Sequence, residues 1–572
     1  MPSRSLTSSR VLARRIVSSS HSCQNLRCAA LSREAARKPL HSSQHFRRTD
    51  SEKKHPTGNK SRQATGSKEA VRHWSGGTRE AKGRTYSDAL ERLDSLTQNR
   101  DITKAFDGKD SKAANEAAIP EMVTWLQRAG YTTDQLSQMQ HIHVAGTKGK
   151  GTVCAYATRL LINSAQGKRV GTYTSPHLVT VRERIALGGS PVSKQLFTEA
   201  FFELWDRLGE AAQREGLSER SARPFFFRFM TLLAWHIFIK EKVDVVVMEC
   251  GIGGEYDATN ILPPAAVATA LITHLELDHT AMLGNTVESI AWHKSGIFKQ
   301  GRPAIAYAGD MAESVKNVLV QRAKDKGANL YLVPKEVLDR VCEQSPDDVI
   351  AVKNHMLADM AVIAQYQGLS TKSISEYSNQ GSEDLPQVLE KMHVLGRGEV
   401  LQVDGKTWYL DGAHTQDSIA NVASWLAANV FGNDKLIVVF NQQERDAVKL
   451  LKHLVQSVES YTDEPSWWTS KSPCFIFSRN ELLVQTSDEL EQGTRDLAVQ
   501  EELSRWVRSP AGVNLISAKP QVTVFDNVND AVAQAKEIAA GHSEAKVVVT
   551  GSMYLVGAVL KTLQRGAGDE TE

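Results

Sequence analysis

Apolar residues fall into two alternating periods along most of this chain. In SDALERLDSL the residues Ala89, Leu90, Leu93 and Leu96 recur at helical spacing, so order is predicted to begin near Tyr86. Pro120 to Ala129 also reads as helix. HIHVAG reads as a short strand running into a glycine-rich loop, and after the loop Val153, Ala157, Leu160 and Leu161 mark one face of a helix. Arg169 to Thr174 is a predicted strand and Phe225 to Ile239 a long apolar helix. VDVVVMECGIGG is a nearly unbroken β-branched run, the pattern of a strand buried on both faces, and AAVATALITHL is another. Thr286 to Phe298 reads as helix and RPAIAY as strand. This alternation predicts an α/β fold with a mostly parallel sheet and crossover helices.

From Gly396 the alternation restarts. TWYLDG, KLIVVFN, PCFIFS, QVTVFDN and KVVVTGS are predicted strands, with amphipathic stretches such as NDAVAQAKEIAA between several of them. They predict a second, smaller α/β domain. The polar stretch SNQGSEDLPQ, starting at Ser378, lies shortly before the boundary, and no internal repeat is visible. The expected organisation is a leader at 1–50, a linker at 51–84, a first domain at 85–395 and a second at 396–568.

Composition changes this picture only at the start. The 572 residues carry a net charge of +2, which points to neither a nucleic-acid binder nor a membrane-surface protein. No apolar run is long enough to span a bilayer. Six scattered cysteines form no zinc-type spacing and no disulfide framework, which suits a reducing compartment. The first fifty residues differ. Arg4, Arg10, Arg14, Arg15, Arg27, Arg33, Arg37, Arg47 and Arg48 stand among many serines, opposed only by Glu34 and Asp50. That is a transit-peptide composition, with a disordered basic tail as the alternative. The expected location is mitochondrial, in the matrix or at the inner membrane face. A cytosolic form from an alternative start stays open, although the next methionine, Met122, falls inside the folded part.

The candidate chemistry begins at HVAGTKGKGT. Gly146, Gly149 and Gly151 let the backbone curl with its N–H groups inward, and the following helix adds free N–H groups and a positive dipole end. Lys150 would neutralise phosphate charge and the Thr152 hydroxyl could reach a metal. The usual phosphate-loop pattern places Ser or Thr directly after the lysine, whereas Gly151 intervenes here, so a structural glycine turn remains the alternative. Magnesium accompanying a nucleotide wants oxygen ligands. The candidates sit at strand ends: Glu249, Asp257, His274, Asp278 and His279. An acid closing a buried apolar strand, as Glu249 does, needs a partner or a metal. A histidine after a strand is more often hydrogen-bonded structure than a ligand. Lys294 reads by default as a surface lysine, although desolvation would make it nucleophilic.

Taken together these segments resemble the folylpolyglutamate synthases, Mur-ligase-like ATP-dependent amide ligases, of the eukaryotic type. The likeness nearly spans Tyr86 to Leu563. It rests on HVAGTKGKGT, YTSPHLVTVRERI, FFFRFMTLLAWHIF, VVVMECGIGGEYDATNI and LELDHTAMLGNTVESIAWHKSGIFK, then on LGRGEV, YLDGAHTQDS, VVFNQQERDA and VTGSMYLVG. In this family a glycine after the loop lysine is normal. The resemblance implies a P-loop-type ATPase domain followed by a Rossmann-like domain. It implies that Gly146, Thr147, Lys148, Gly149, Lys150, Gly151 and Thr152 hold the nucleotide phosphates, joined by Arg397, Asp411 and His414 from the second domain. Ser175, Glu249 and His279 would be Mg²⁺ ligands, and Lys150, His279 and Lys294 the catalytic set. Lys294, fifteen residues beyond His279, occupies the place of a carbamylated lysine. A monovalent cation is compatible with the family.

Two departures stand out. The family's His-Gln-x-x-Asn segment, whose Asn contacts nucleotide, reads HMLAD here, with Met356 and Asp359. The stretch from Asp310 to Leu395 is shortened, and Val394-Leu395 replaces Trp-Pro before the Gly-Arg pair.

The implied partners are ATP, a folate and free L-glutamate, without nucleic acid or a transmembrane segment, and a monomer is expected. The implied reaction joins glutamate to the γ-carboxyl of a tetrahydrofolate-type folate through an acyl phosphate. Dihydrofolate synthase, acting on dihydropteroate, is the nearest alternative, against which Lys148 weighs slightly. A nucleotide-binding relative without catalysis is the second.

Overall fold

The computed structural model describes residues 83–96, 111–164, 167–218, 221–343, 349–367, 370, 394–430, 434–443, 445–462, 467–471, 473–480, 497–516 and 520–565. The basic leader and most of the linker lie outside the described residues, as does the SNQGSEDLPQ stretch.

The first sheet has eight strands: β1 (Gln140–Ala145), β2 (Val170–Tyr173), β3 (Ile185–Leu187), β4 (Ser190–Pro191), β5 (Val245–Glu249), β6 (Val267–Ile272), β7 (Pro303–Tyr307) and β8 (Asn329–Val333). Their order is β4-β3-β2-β5-β1-β6-β7-β8. Pairing is parallel from β2 to β8, and β3 and β4 add antiparallel at one edge. β1 sits centrally between β5 and β6. All five residues of β5 and all six of β6 are buried, as their unbroken apolar runs require when helices cover both faces.

Besides a core around Ile272, Ile297 and Leu319, two larger cores flank this sheet. One packs the helices Lys194–Arg214 and Phe226–Lys240 around Phe197, Phe201, Phe229 and Trp235. The other packs the helix Lys150–Asn163 against the helix Val349–Gln367 through Val153, Ala157, Met356 and Met360. The helix expected from Pro120 begins earlier, at Ser111, with Pro120 inside it.

The second sheet holds β9 (Glu399–Val403), β10 (Lys406–Asp411), β11 (Lys435–Phe440), β12 (Cys474–Ser478), β13 (Gln521–Phe525) and β14 (Ala545–Thr550), in the order β13-β12-β11-β14-β10-β9. Only β9 runs antiparallel, and it closes one edge. Among the described residues no helix is long and apolar enough to cross a membrane.

Candidate active site

The site grows from the carboxyl ends of β1, β2, β5 and β6, where a parallel sheet presents its loops. After β1 the chain turns through Gly146 to Gly149 into the helix Lys150–Asn163. Gly149 takes φ +83° at the helix start and offers no side-chain cap, so the first-turn N–H groups stay available to an anion. A Cβ at Gly146 would stand 1.8 Å from the Thr273 hydroxyl, so only glycine fits where the loop crosses β6.

The loop is pinned from the β6 side. The Thr147 N–H donates to the His274 carbonyl at 2.7 Å, and the Thr273 hydroxyl donates to the Lys148 carbonyl at 2.7 Å. The Thr147 hydroxyl donates to the Glu276 carbonyl at 3.1 Å, and Lys148 Nζ reaches the Glu276 carboxylate at 2.7 Å. His274 stands 3.5 Å from that same carboxylate. His274 thus holds the loop through its carbonyl, while its imidazole faces Glu276.

Glu249 ends β5 and is 3 % exposed. Its Oε2 accepts the Ser175 N–H at 3.0 Å, and Lys150 Nζ lies 3.9 Å from Oε1. Burial raises the carboxyl above its usual range, against the opposing pull of Lys150, the Ser175 N–H and, from the second domain, Arg397. A Cβ at Gly151 would stand at ordinary contact distance, 3.6 Å, from Glu249 Oε2, so the loop passes directly beside the carboxylate.

Lys294 ends the helix Val287–Lys294, which Thr286 caps through the Ser289 N–H. Its reading as a surface lysine is corrected: it is 2 % exposed, and Nζ donates to the Gly146 carbonyl at 2.7 Å. Burial first, then Lys150, lowers the ammonium to about 7. His279 stands on the loop after β6 with φ 48°, and the charges acting on its ring are Asp278, Lys294, Lys150 and Arg445. Burial lowers the imidazolium below its ordinary range.

Asp257, read as a metal candidate, is a turn staple instead. It is 6 % exposed and accepts the N–H groups of Gly251, Ile252 and Thr259 together with the Thr259 hydroxyl. Asp278 is paired with Arg445. Among the described residues no group of three His, Cys, Asp or Glu side chains is arranged to hold a metal. The set Glu249, Ser175 and His279 contains only two such side chains. It offers one buried, undercompensated carboxylate beside a hydroxyl-bearing residue, a donor set that suits a hard ion retaining several waters.

The second domain contributes Arg397, Asp411 and His414. Asp411 accepts the Gly398 N–H at 2.8 Å; burial raises its carboxyl and Arg397 holds it down. His414 Nδ1 bonds to the Gly412 carbonyl at 2.8 Å, and the His414 N–H donates to Ser418 Oγ at 3.1 Å.

Sequence reasoning missed three groups. Thr273 and Glu276 lie more than a hundred residues from the loop that they hold. Asn354 stands one residue before the HMLAD segment, and a Cβ at Gly149 would meet its carboxamide oxygen at 2.7 Å. Met356 is fully buried in the core and cannot reach a nucleotide, so Asn354 is the amide that this helix brings to the loop.

No family model matches the chain. Among curated relatives, the probable folylpolyglutamate synthase of Schizosaccharomyces pombe is 34 % identical over 507 residues, covering 84 % of this chain and 95 % of the relative. The chain belongs to the folylpolyglutamate synthase family. The Neurospora crassa folylpolyglutamate synthase is 32 % identical over 511 residues, 85 % of this chain and 93 % of that one.

Solved structures agree in fold. Escherichia coli FolC in complex with DHPP and ADP superposes with a TM-score of 0.53 at 22 % identity, over 78 % of this chain and 93 % of that one. The bifunctional folylpolyglutamate synthase/dihydrofolate synthase of Yersinia pestis, complexed with AMPPNP and a Mn ion, gives 0.54 at 25 % identity over the same shares. The two-sheet α/β architecture is that of the family.

Proposed function

We infer that this chain is an ATP-dependent ligase that joins the amine of L-glutamate to the γ-carboxyl of a tetrahydrofolate-type folate, building poly-γ-glutamate tails. One observation carries the site-level reading: the buried Glu249 carboxylate is met by Lys150 of the glycine loop, by Ser175 after β2 and by the field of Arg397 from the other domain. Family membership supplies the activity, and the nucleotide and metal ion named for the solved relatives supply the co-substrate class.

In this reading the folate γ-carboxylate oxygen attacks the γ-phosphorus of ATP and ADP leaves. The glutamate amine then attacks the acyl phosphate carbonyl, and phosphate leaves as the amide forms. The loop N–H groups and Lys150 hold the transferring phosphoryl group and stabilise its developing charge. Glu249, Ser175 and His279 would hold a divalent ion, Mg²⁺, which supplies further charge neutralisation when bound. Arg397, Asp411 and His414 close over the nucleotide and keep water from the acyl phosphate.

Lys294 is the proposed carbamylation site. An amine held at about 7 is substantially neutral at physiological pH, and the neutral amine adds the carbon of CO₂ while releasing one proton. The product is an anion beside Lys150 and His279, where a buried ammonium is poorly tolerated.

The test is a glutamate-incorporation assay with ATP and tetrahydrofolate, run in parallel with dihydropteroate. Incorporation on tetrahydrofolate alone supports the reading, and incorporation on dihydropteroate alone replaces it with dihydrofolate synthase. ATP binding without turnover on either would sink both. The same assay with added bicarbonate checks Lys294: the rate rises with bicarbonate in CO₂-depleted protein, and ¹³C-bicarbonate gives a carbamate signal that Lys294→Ala lacks. We also propose that residues 1–50 address the chain to mitochondria; a reporter fused to residues 1–84 that stays in the cytosol would reject this.

A further inference from the structure

The two domains meet through contacts of two kinds. One is apolar: Leu178 and Val179, in the loop after β2, pack against a core of the second domain. The other is polar, and it reaches the site. Arg445 Nη2 lies 2.7 Å from Asp278 Oδ1, across 167 residues of sequence. Arg445 immediately precedes Asp446, which caps the helix Ala447–Ser460 by accepting the Lys449 N–H at 2.8 Å. The guanidinium is therefore carried on an anchored turn. The Asp278 side chain is 13 % exposed, withdrawn enough from water for a charge-assisted hydrogen bond to hold.

The same Asp278 oxygen accepts the backbone N–H of His279 at 2.9 Å, and the other oxygen stands 3.7 Å from His279 Nε2. His279 holds φ 48° and ψ 40°. A residue with a side chain keeps that left-handed conformation only where its surroundings fix it. Asp278 thus bonds the His279 backbone and stands close to its ring, and Arg445 bonds Asp278 from the other domain.

We propose that Arg445 is a positioning residue: docking of the second domain brings its guanidinium onto Asp278 and, through Asp278, fixes the His279 imidazole. The role rests on the ligase reading above. It couples domain closure to assembly of the site, so the acyl phosphate is made where water is already excluded.

The experiment uses the full chain, the wild type first, then Arg445→Ala and Arg445→Lys. In Arg445→Ala, kcat for glutamate incorporation falls about tenfold or more while KM for ATP changes little. ADP released per glutamate joined rises above one, because acyl phosphate is lost to water. Mn²⁺ binding with ADP present and folate absent, followed from the free-ion electron paramagnetic resonance signal, weakens severalfold. Arg445→Lys recovers part of each effect, since it keeps the charge and loses the planar fork. An unchanged ADP-to-glutamate ratio with unchanged Mn²⁺ affinity would overturn the proposal. So would a loss that tracks a lowered melting temperature and that lysine does not relieve. An inactive wild type is a separate result: it overturns the ligase reading, and this role falls with it.

Discussion

Replacing Lys150 with alanine abolishes measurable folate- and glutamate-dependent ADP release while the chain still folds. The lysine stands at the first position of the helix Lys150–Asn163, and its amine lies 3.9 Å from Glu249 Oε1 with 16 % of the side chain exposed. No packed core depends on it, because the buried face of that helix is Val153, Cys154, Tyr156, Ala157, Thr158 and Leu161. What is lost is a positive charge beside Glu249, in the turn proposed to hold the phosphoryl group. Removing one preorganised group of this kind costs on the order of 10²–10³ in kcat, about 3–4 kcal/mol of transition-state stabilisation. A second effect adds to the first. Without Lys150, the largest influence opposing burial at Glu249 is gone, and its carboxyl rises further toward the neutral form. A neutral Glu249 is a poorer metal ligand, so both the phosphate contact and the metal set weaken together. The check is initial-rate ADP release at saturating substrates, alongside a thermal melt. A melt within a few degrees of wild type with no turnover fits the assignment. Retained turnover in Lys150→Ala would remove Lys150 from the catalytic set and reduce the loop to a structural turn.

How far the fold and the site were legible follows from range in sequence. The parallel strands β5 and β6 announced themselves because burial on both faces writes an apolar run directly into consecutive residues, whereas β1, with His141 and His143 inside it, shows less of one. β3 and β4, of three and two residues, are too short to show any period. β8 and β9 are edge strands of five residues with half-exposed patterns, too short to fix a period against their neighbours. The same rule governs the site. Lys150 and Glu249 were readable because a glycine loop and an acid ending a buried strand are local features. Lys294 was not, since its burial comes from lying under Gly146, 148 residues away. Asp257 looked like a candidate ligand for the opposite reason: an acid in a turn looks the same in sequence whether it awaits a metal or already holds four donors. Thr273, Glu276, Asn354 and Arg445 act only through the assembled fold, and a single sequence carries no mark of that.

Acid destabilises this protein well before its carboxylates are protonated, through four histidines kept neutral inside the first domain. His141 is 0 % exposed; its Nδ1 lies 3.0 Å from the Ala266 carbonyl, and its Nε2 accepts from Trp235 Nε1 at 3.4 Å. That arrangement requires a proton on Nδ1 and none on Nε2. Burial lowers the His141 imidazolium to about 4. His236 is also lowered to about 4 by burial first and Arg207 next, although Glu203 pulls the other way. His143 is lowered well below its ordinary value by burial, with Lys299 and His141 adding to it. His177, whose Nδ1 accepts from Arg184 Nε at 2.8 Å, is lowered to about 3 by burial first and Arg184 next. In the unfolded chain each returns to near 6.5. Between that value and the lower folded one the unfolded state binds more protons, so stability rises with pH there and falls as pH drops. The full contribution is present above about pH 7 and is lost progressively from pH 6.5 toward pH 4. Each histidine costs about 1.4 kcal/mol per pH unit in that window, so His141, His177 and His236 alone remove on the order of 6 kcal/mol by pH 5. Domains commonly have only about 5–15 kcal/mol in total. Glu249, Asp257 and Asp411, whose carboxyls are raised by burial, act in the opposite sense and soften the slope at the acid end. Urea midpoints measured at pH 7.5, 6.5 and 5.5 should therefore fall steeply across the last interval. His141→Gln, which can still donate to Ala266 and accept from Trp235, should reduce the slope by about a quarter. A midpoint that is flat from pH 7.5 to 5.5, or a slope untouched by His141→Gln, would show that these rings are not neutral in the fold.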